Sequence, residues 1–170
     1  MIAKTRWSGT LAIALLAGTI LGLGPVLAEA ATIVALGASN TYGKGVARSQ
    51  AYPAQLEAIL RAKGKSARVV NAGINGDTTE GMLRRLDRAV PNGTSLVLFQ
   101  PGGNDRRQGS ADRSGEIRSR LSARGIPVIV LGNEMLQGLP HQADGIHLTP
   151  EGYHMLAEAI APRVEGAVGR

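Results

Sequence analysis

Four short apolar runs recur along the chain, at Thr32–Leu36, Arg68–Asn71, Ser95–Gln100 and Ile126–Leu131. They are rich in Val, Ile and Leu and do not alternate with polar residues. A strand with one wet face alternates, whereas a strand covered on both faces reads as a continuous apolar run. Stretches with apolar residues at helical spacing lie between and after the runs. Pro53–Lys63 carries Leu56, Ile59 and Leu60 and stops at Gly64. Thr79–Ala89 carries Met82, Leu83 and Leu86, and Ala111–Ala123 carries Ile117 and Leu121 and stops at Gly125. A last helix starts with Thr149 as N-cap and Pro150 at its first position. It sets Tyr153, Leu156, Ala157, Ile160 and Val164 on one face, with Pro162 placed to kink it. Strands that alternate with helices build a parallel sheet with helices on both sides, so the fold class is α/β. The 170 residues suit one domain, and a hydrophobic share of 44% can fill its core. Glycine, at 23 residues, is about twice its usual share without a Gly-X-Y period. That suits many tight strand-to-helix turns.

Composition also removes several functions. Aromatic residues are 3%, too few for a base-stacking surface. The net charge of +6 comes from scattered basic residues, densest at Arg84, Arg85 and Arg88 and at Arg106 and Arg107, with no nucleic-acid recognition motif. Nucleic acid is therefore not an expected partner. Cysteine is absent, which excludes disulfides, thiolate zinc sites and Cys nucleophiles. At the N-terminus, Lys4 and Arg6 precede an uncharged run from Trp7 to Ala28, strongly apolar over Leu11–Leu23. Pro25 breaks the run, and Ala28-Glu29-Ala30 offers small residues at the two positions a signal peptidase reads. The expected division is a signal peptide over residues 1–30 and one domain over 31–170, placed in the periplasm or secreted. The 22-residue run is also long enough to span a bilayer, so a retained anchor is the alternative. Only then would the membrane be a partner.

Ligand sites in parallel α/β sheets lie beyond the carboxyl ends of the strands. The segments there carry the candidate chemistry. Gly37-Ala38-Ser39-Asn40 follows the first run, and a serine there can point its hydroxyl into the crevice with its N–H near a helix start. By itself such a serine more often caps a turn. Asn71 to Thr79 follows the second run, where Gly73 lets a backbone amide approach a ligand and Asp77 or Thr78 could be the helix cap. Pro101-Gly102-Gly103-Asn104-Asp105 follows the third, and Asn104 could donate to a developing oxyanion. Asp144-Gly145-Ile146-His147 precedes the last helix, with a carboxylate three residues before an imidazole that it could orient. His141 has no carboxylate near it in sequence, and His154 falls inside the last helix.

The four segments in this order, Ser, Gly, Asn, Asp-x-x-His, resemble the SGNH hydrolases, also called GDSL-type esterases and lipases. Asn71 to Thr79 is most similar to the thioesterase I/lysophospholipase branch. The resemblance implies a three-layer α/β/α fold with a flavodoxin-like parallel sheet of four or five strands. It implies Ser39 as nucleophile, His147 as general base and then acid, and Asp144 as the group that orients His147. It further implies an oxyanion hole made by the N–H groups of Ser39 and Gly73 and the side-chain amide of Asn104. No cofactor and no metal are expected. The implied activity is a carboxylic ester hydrolase acting on a small acyl ester through an acyl-enzyme. Lysophospholipase, thioesterase, carbohydrate deacetylase and a non-catalytic module of the same fold are the alternatives.

Two departures bear on function. The family usually has Gly-Asp-Ser-Leu where this chain has Gly37-Ala38-Ser39-Asn40. In addition, only 39 positions separate Asp105 from Asp144, about one βα unit fewer than that branch usually has. A shorter segment implies an open site that suits short acyl groups.

Overall fold

A computed structural model describes residues 30–168; apart from Ala30, the expected leader lies outside the described residues. The first strand, β1 (Ala31–Gly37), leads into a single helical turn, α1 (Ser39–Tyr42), and then into α2 (Tyr52–Ala62). β2 (Ala67–Gly73) follows, with α3 (Thr79–Arg84) and α4 (Leu86–Ala89). β3 (Thr94–Gln100) leads into α5 (Asn104–Gln108) and α6 (Ser114–Ala123). β4 (Val128–Val130) is the last strand among the described residues, and α7 (Pro150–Val168) follows it.

The four strands pair in parallel in the order β2-β1-β3-β4. This is the flavodoxin-like order with its fifth strand missing. After β4 the chain makes one 3-10 turn (Asn133–Leu136) and goes to α7 without another strand. The short interval between Asp105 and Asp144 is where that unit is absent.

Successive residues of the central strands point to opposite faces, as the strand period of two requires. Ile33, Ala35, Leu96 and Leu98 enter the core under α2 and α7, with Leu56, Leu60, Leu156 and Ile160. Val34, Leu36, Val97 and Phe99 enter a second core under α3, α4 and α6, with Met82, Leu86, Ile117 and Leu121. Every one of these side chains is at most 1% exposed. Full burial of each large apolar side chain contributes about 1.5–3 kcal/mol. Continuous apolar runs are the consequence of helices on both faces.

The expected helix over Thr79–Ala89 is interrupted at Arg85. Its guanidinium turns inward, donating to Asp77 at 2.8 Å and to the Gly37 carbonyl at 3.2 Å. The expected strand Ile126–Leu131 is trimmed to three residues, because Pro127 has no N–H to give to a ladder. The helix expected from Ala111 starts at Ser114 instead, after Asp112 caps the Ser114 N–H at 2.7 Å. Thr149 does cap α7, its hydroxyl accepting from the Gly152 N–H at 3.1 Å. Among the described residues, no helix is long and apolar enough to cross a membrane.

Candidate active site

In the order β2-β1-β3-β4, the chain leaves β1 toward one side of the sheet and leaves β3 toward the other. The crevice lies at such a reversal, beyond the carboxyl ends of the two diverging strands. Ser39 is the second residue after β1, and Asn104 is the fourth after β3. Both therefore sit at the switch point. His147 reaches it from the loop before α7.

Ser39 and His147 are 9% and 5% exposed. Ser39 Oγ lies 2.9 Å from His147 Nε2, and His147 Nδ1 lies 2.5 Å from Asp144 Oδ2. Asp144 Oδ1 accepts from the backbone N–H groups of Ile146 at 2.9 Å and His147 at 3.0 Å. The imidazole bond, helped by these two N–H bonds, holds the Asp144 carboxyl well below the usual carboxylate range. An ionised carboxylate only accepts, so Nδ1 carries a proton, and in the neutral ring Nε2 is then the acceptor for the Ser39 hydroxyl. The arrangement can take a proton from Ser39 and hold the resulting imidazolium beside an anion.

Asn40 ties the two halves of this relay together. Its Nδ2 donates to the Ile146 carbonyl at 3.0 Å, and its Oδ1 accepts from the Leu148 N–H at 3.4 Å. These two backbone groups flank His147. The buried Tyr153 hydroxyl also donates to Asn40 Oδ1, at 2.9 Å. Burial away from water pushes Tyr153 up to about 12, so it remains a donor across ordinary pH. Nothing in the four-segment pattern pointed to Asn40 as more than a departure from Leu.

Asn104 is 6% exposed, and both ends of its amide are held. Its Oδ1 accepts from the Arg107 guanidinium at 2.7 Å, and its Nδ2 donates to the Asp77 carbonyl at 2.7 Å. An amide nitrogen has two N–H bonds, so one remains for a ligand. Asp77 is itself fixed by Arg85, and Asp105 accepts from the Thr79 N–H and hydroxyl, each at 2.8 Å. The loops after β2 and β3 are thus bound to each other before any substrate arrives.

Gly73 does not occupy the place expected of it. Its N–H donates to Asn71 Oδ1 at 3.0 Å, and the residue packs under α1 so tightly that a Cβ would overlap the Tyr42 amide nitrogen. The glycine that does line a cavity of ≈ 190 Å³ with Ser39, Asn104 and His147 is Gly76. It has φ 74°, and its N–H has no acceptor among the described residues. Gly73 is only the first glycine of the loop. The sharper pointer was Gly76-Asp77-Thr78, a glycine turn directly before the cap of α3, where the Thr78 hydroxyl accepts from the Gly81 N–H at 3.1 Å. The Ser39 N–H, at the first position of α1, has no intrahelical acceptor either.

Ala38, which stands where the family usually has Asp, is buried in the core under α3, α4 and α6. His141 lines a larger cavity of ≈ 360 Å³, but its Nδ1 is bonded to the Leu139 carbonyl at 2.7 Å. His154 lies on the outer surface of α7, 3.0 Å from the Gln55 side chain. Among the described residues, no group of three His, Asp or Glu side chains is placed to hold a metal ion.

The model of the GDSL-like lipase/acylhydrolase family matches residues 35–121. Esterase TesA of Pseudomonas aeruginosa is 33% identical over 114 residues, which is 64% of this chain and 57% of that protein. The match thus spans little more than half of that relative's length. A crystal structure of TesA has a TM-score of 0.67 at 27% identity, covering 80% of this chain and 99% of that one. AlinE4, an SGNH-hydrolase family esterase, has a TM-score of 0.57 at 28% identity, covering 82% and 97%. Taken with the parallel sheet and the family model's reach over half of the sequence, the chain belongs to the GDSL-like lipase/acylhydrolase family, whose fold is that of the SGNH hydrolases.

Proposed function

We propose that the chain is a serine ester hydrolase that works through an acyl-enzyme on Ser39. The single observation that carries this reading is the continuous set of bonds from Ser39 Oγ through the His147 ring to Asp144. A serine hydroxyl is a weak nucleophile until an adjacent base takes its proton. In the proposed cycle His147 Nε2 takes that proton as Ser39 Oγ attacks the ester carbonyl, and returns it to the leaving alcohol. Water then attacks the acyl-enzyme by the same route. Asp144 keeps the ring tautomer and offsets the imidazolium charge. The developing oxyanion would be met by the N–H groups of Ser39 and Gly76 and the free N–H of Asn104. By analogy with measured deletions, each such donor contributes about 2.7–4 kcal/mol to the transition state.

Short acyl groups suit this site. Residues lining the larger cavity include Gln100, Asn104, Asn133 and Gln137, which interrupt the apolar Ala38, Leu136 and Ile146. A long alkyl tail would find no continuous apolar wall. The proposal includes a leader over residues 1–30 and a hydrolase domain over 31–170 that acts outside the cytoplasm on oxygen esters.

The test is release of p-nitrophenol from its butyrate ester by the purified domain and by Ser39→Ala. The expected result is turnover by the first and none above background by the second, with unchanged circular dichroism. A Ser39→Ala protein that retains the wild-type rate refutes the assignment.

A further inference from the structure

The two cavities that meet at Ser39 are lined by cations without matching carboxylates. Arg106 and Arg107 line the larger cavity, and Arg107 and Lys44 the smaller. No Asp or Glu lines either one. Among the described residues, none of the ion pairs includes Lys44, Arg106 or Arg107. The carboxylates close by are already engaged. Asp77 pairs with Arg85, Asp105 is taken by Thr79, and Asp144 faces His147. Glu134 is the exception: its exposed carboxylate has no such partner among the described residues, but it turns toward the Gly132 backbone and lines neither cavity.

Arg107 has a positioning role through Asn104, but that single bond uses one of the five N–H donors of a guanidinium. Arg106 makes no comparable bond among the described residues. Both arginines follow from α5, a five-residue turn that begins at Asn104, so they stand within one helical turn of the oxyanion donor. A neutral acyl group gives such a surface nothing to bind. A guanidinium fork matches a carboxylate or a phosphate, two donors to two oxygens.

We infer that this site selects esters that carry an anionic group, a carboxylate or a phosphate, close to the scissile carbonyl. This rests on the ester-hydrolase reading and narrows its substrate class. The anion can sit on the acyl side or on the alcohol side of the ester, and the two are separable by experiment.

The test uses pairs matched in size. Mono-p-nitrophenyl glutarate against p-nitrophenyl valerate places the charge on the acyl side. 4-Carboxyphenyl acetate against 4-carbamoylphenyl acetate places it on the alcohol side. The readout is the ratio of kcat/KM, anionic over neutral, after subtraction of spontaneous hydrolysis. At low ionic strength the ratio exceeds one for at least one pair, with about two- to fivefold from each exposed arginine. It falls toward one as NaCl is raised to about 0.5 M, where the Debye length shrinks to about 4 Å. Arg106→Gln lowers the ratio, whereas Arg118→Gln, an exposed charge on α6 away from the cavities, leaves it unchanged. Ratios at or below one for both pairs overturn the inference while leaving the hydrolase reading intact. So does an equal fall in Arg118→Gln, which would mean general charge steering. If no ester at all is turned over, the hydrolase reading fails instead. Calorimetric binding of phenylphosphate to the Ser39→Ala protein then decides the anion site on its own. Weaker binding on adding Arg106→Gln supports it, and equal binding refutes it.

Discussion

Asn40→Leu places the family's usual residue beside Ser39 and removes three bonds at once. The Tyr153 hydroxyl loses its acceptor at 2.9 Å, and Tyr153 is 0% exposed, so water cannot replace it. Stranding a buried hydroxyl costs about 1–3 kcal/mol. The exposed bond from Asn40 Nδ2 to the Ile146 carbonyl contributes about 0.5–1.5 kcal/mol more, and the long bond from the Leu148 N–H contributes least. The expected loss in urea denaturation is therefore about 2–4 kcal/mol. Adding Tyr153→Phe to Asn40→Leu removes the stranded hydroxyl and should recover about 1–2 kcal/mol of it. Because the lost bonds flank His147, kcat should also fall, about 10- to 100-fold, with KM changed little. If the two substitutions are simply additive in stability, or if kcat is untouched, Asn40 does not hold the His147 loop.

Three further outcomes are expected. Asp144→Asn should lower kcat by roughly 10⁴-fold, as in a well-studied triad, while His154→Ala is silent in the same assay. The folded Asp144 carboxyl is held below its unfolded value of about 3.9. Its bond to His147 therefore contributes stability above that pH and loses it as pH falls through the folded value, so the Tm gap between wild type and Asp144→Asn should close in acid. Asn104→Ala should cost about 10²–10³ in kcat with KM little changed, as steady-state kinetics would read directly; a change confined to KM would make it a substrate-binding group. Across neutral p-nitrophenyl esters, kcat/KM should peak at about two to four acyl carbons. A methylene contributes about 0.8 kcal/mol only where it is buried, and a rate that climbs through ten or more carbons would contradict the polar cavity.

Much of the fold was legible because its signals are local and repeated. Strands buried on both faces leave unbroken apolar runs, and β1 and β3 fall within a residue or two of where those runs predicted them. The N-cap at Thr149 was readable from a single Thr-Pro step. The short helices α1 and α5 left no periodicity, since four and five residues make barely one turn. The break at Arg85 depends on Asp77, eight residues back, and on the Gly37 carbonyl at the end of β1, 48 residues back, which no local window contains. The same limit applied to the site. Four segments in order brought Ser39, Asn104, Asp144 and His147 to attention, but which glycine of Asn71 to Thr79 faces the cavity is settled by the packing of Gly73 beneath Tyr42. The Asn40 clamp and the Arg107 bond to Asn104 are side-chain facts of the folded loops, and residue types alone did not announce them.

The proposal that Ser39 is an activated nucleophile can be tested without knowing the natural substrate. A fluorophosphonate probe reacts with such a serine and leaves a covalent adduct whose mass and position are measured on the intact protein and its peptides. The expected result is a single adduct on Ser39, none on Ser39→Ala, and much slower labelling of His147→Ala. Absence of an adduct on the folded wild-type protein, or labelling that persists unchanged in Ser39→Ala, would contradict it.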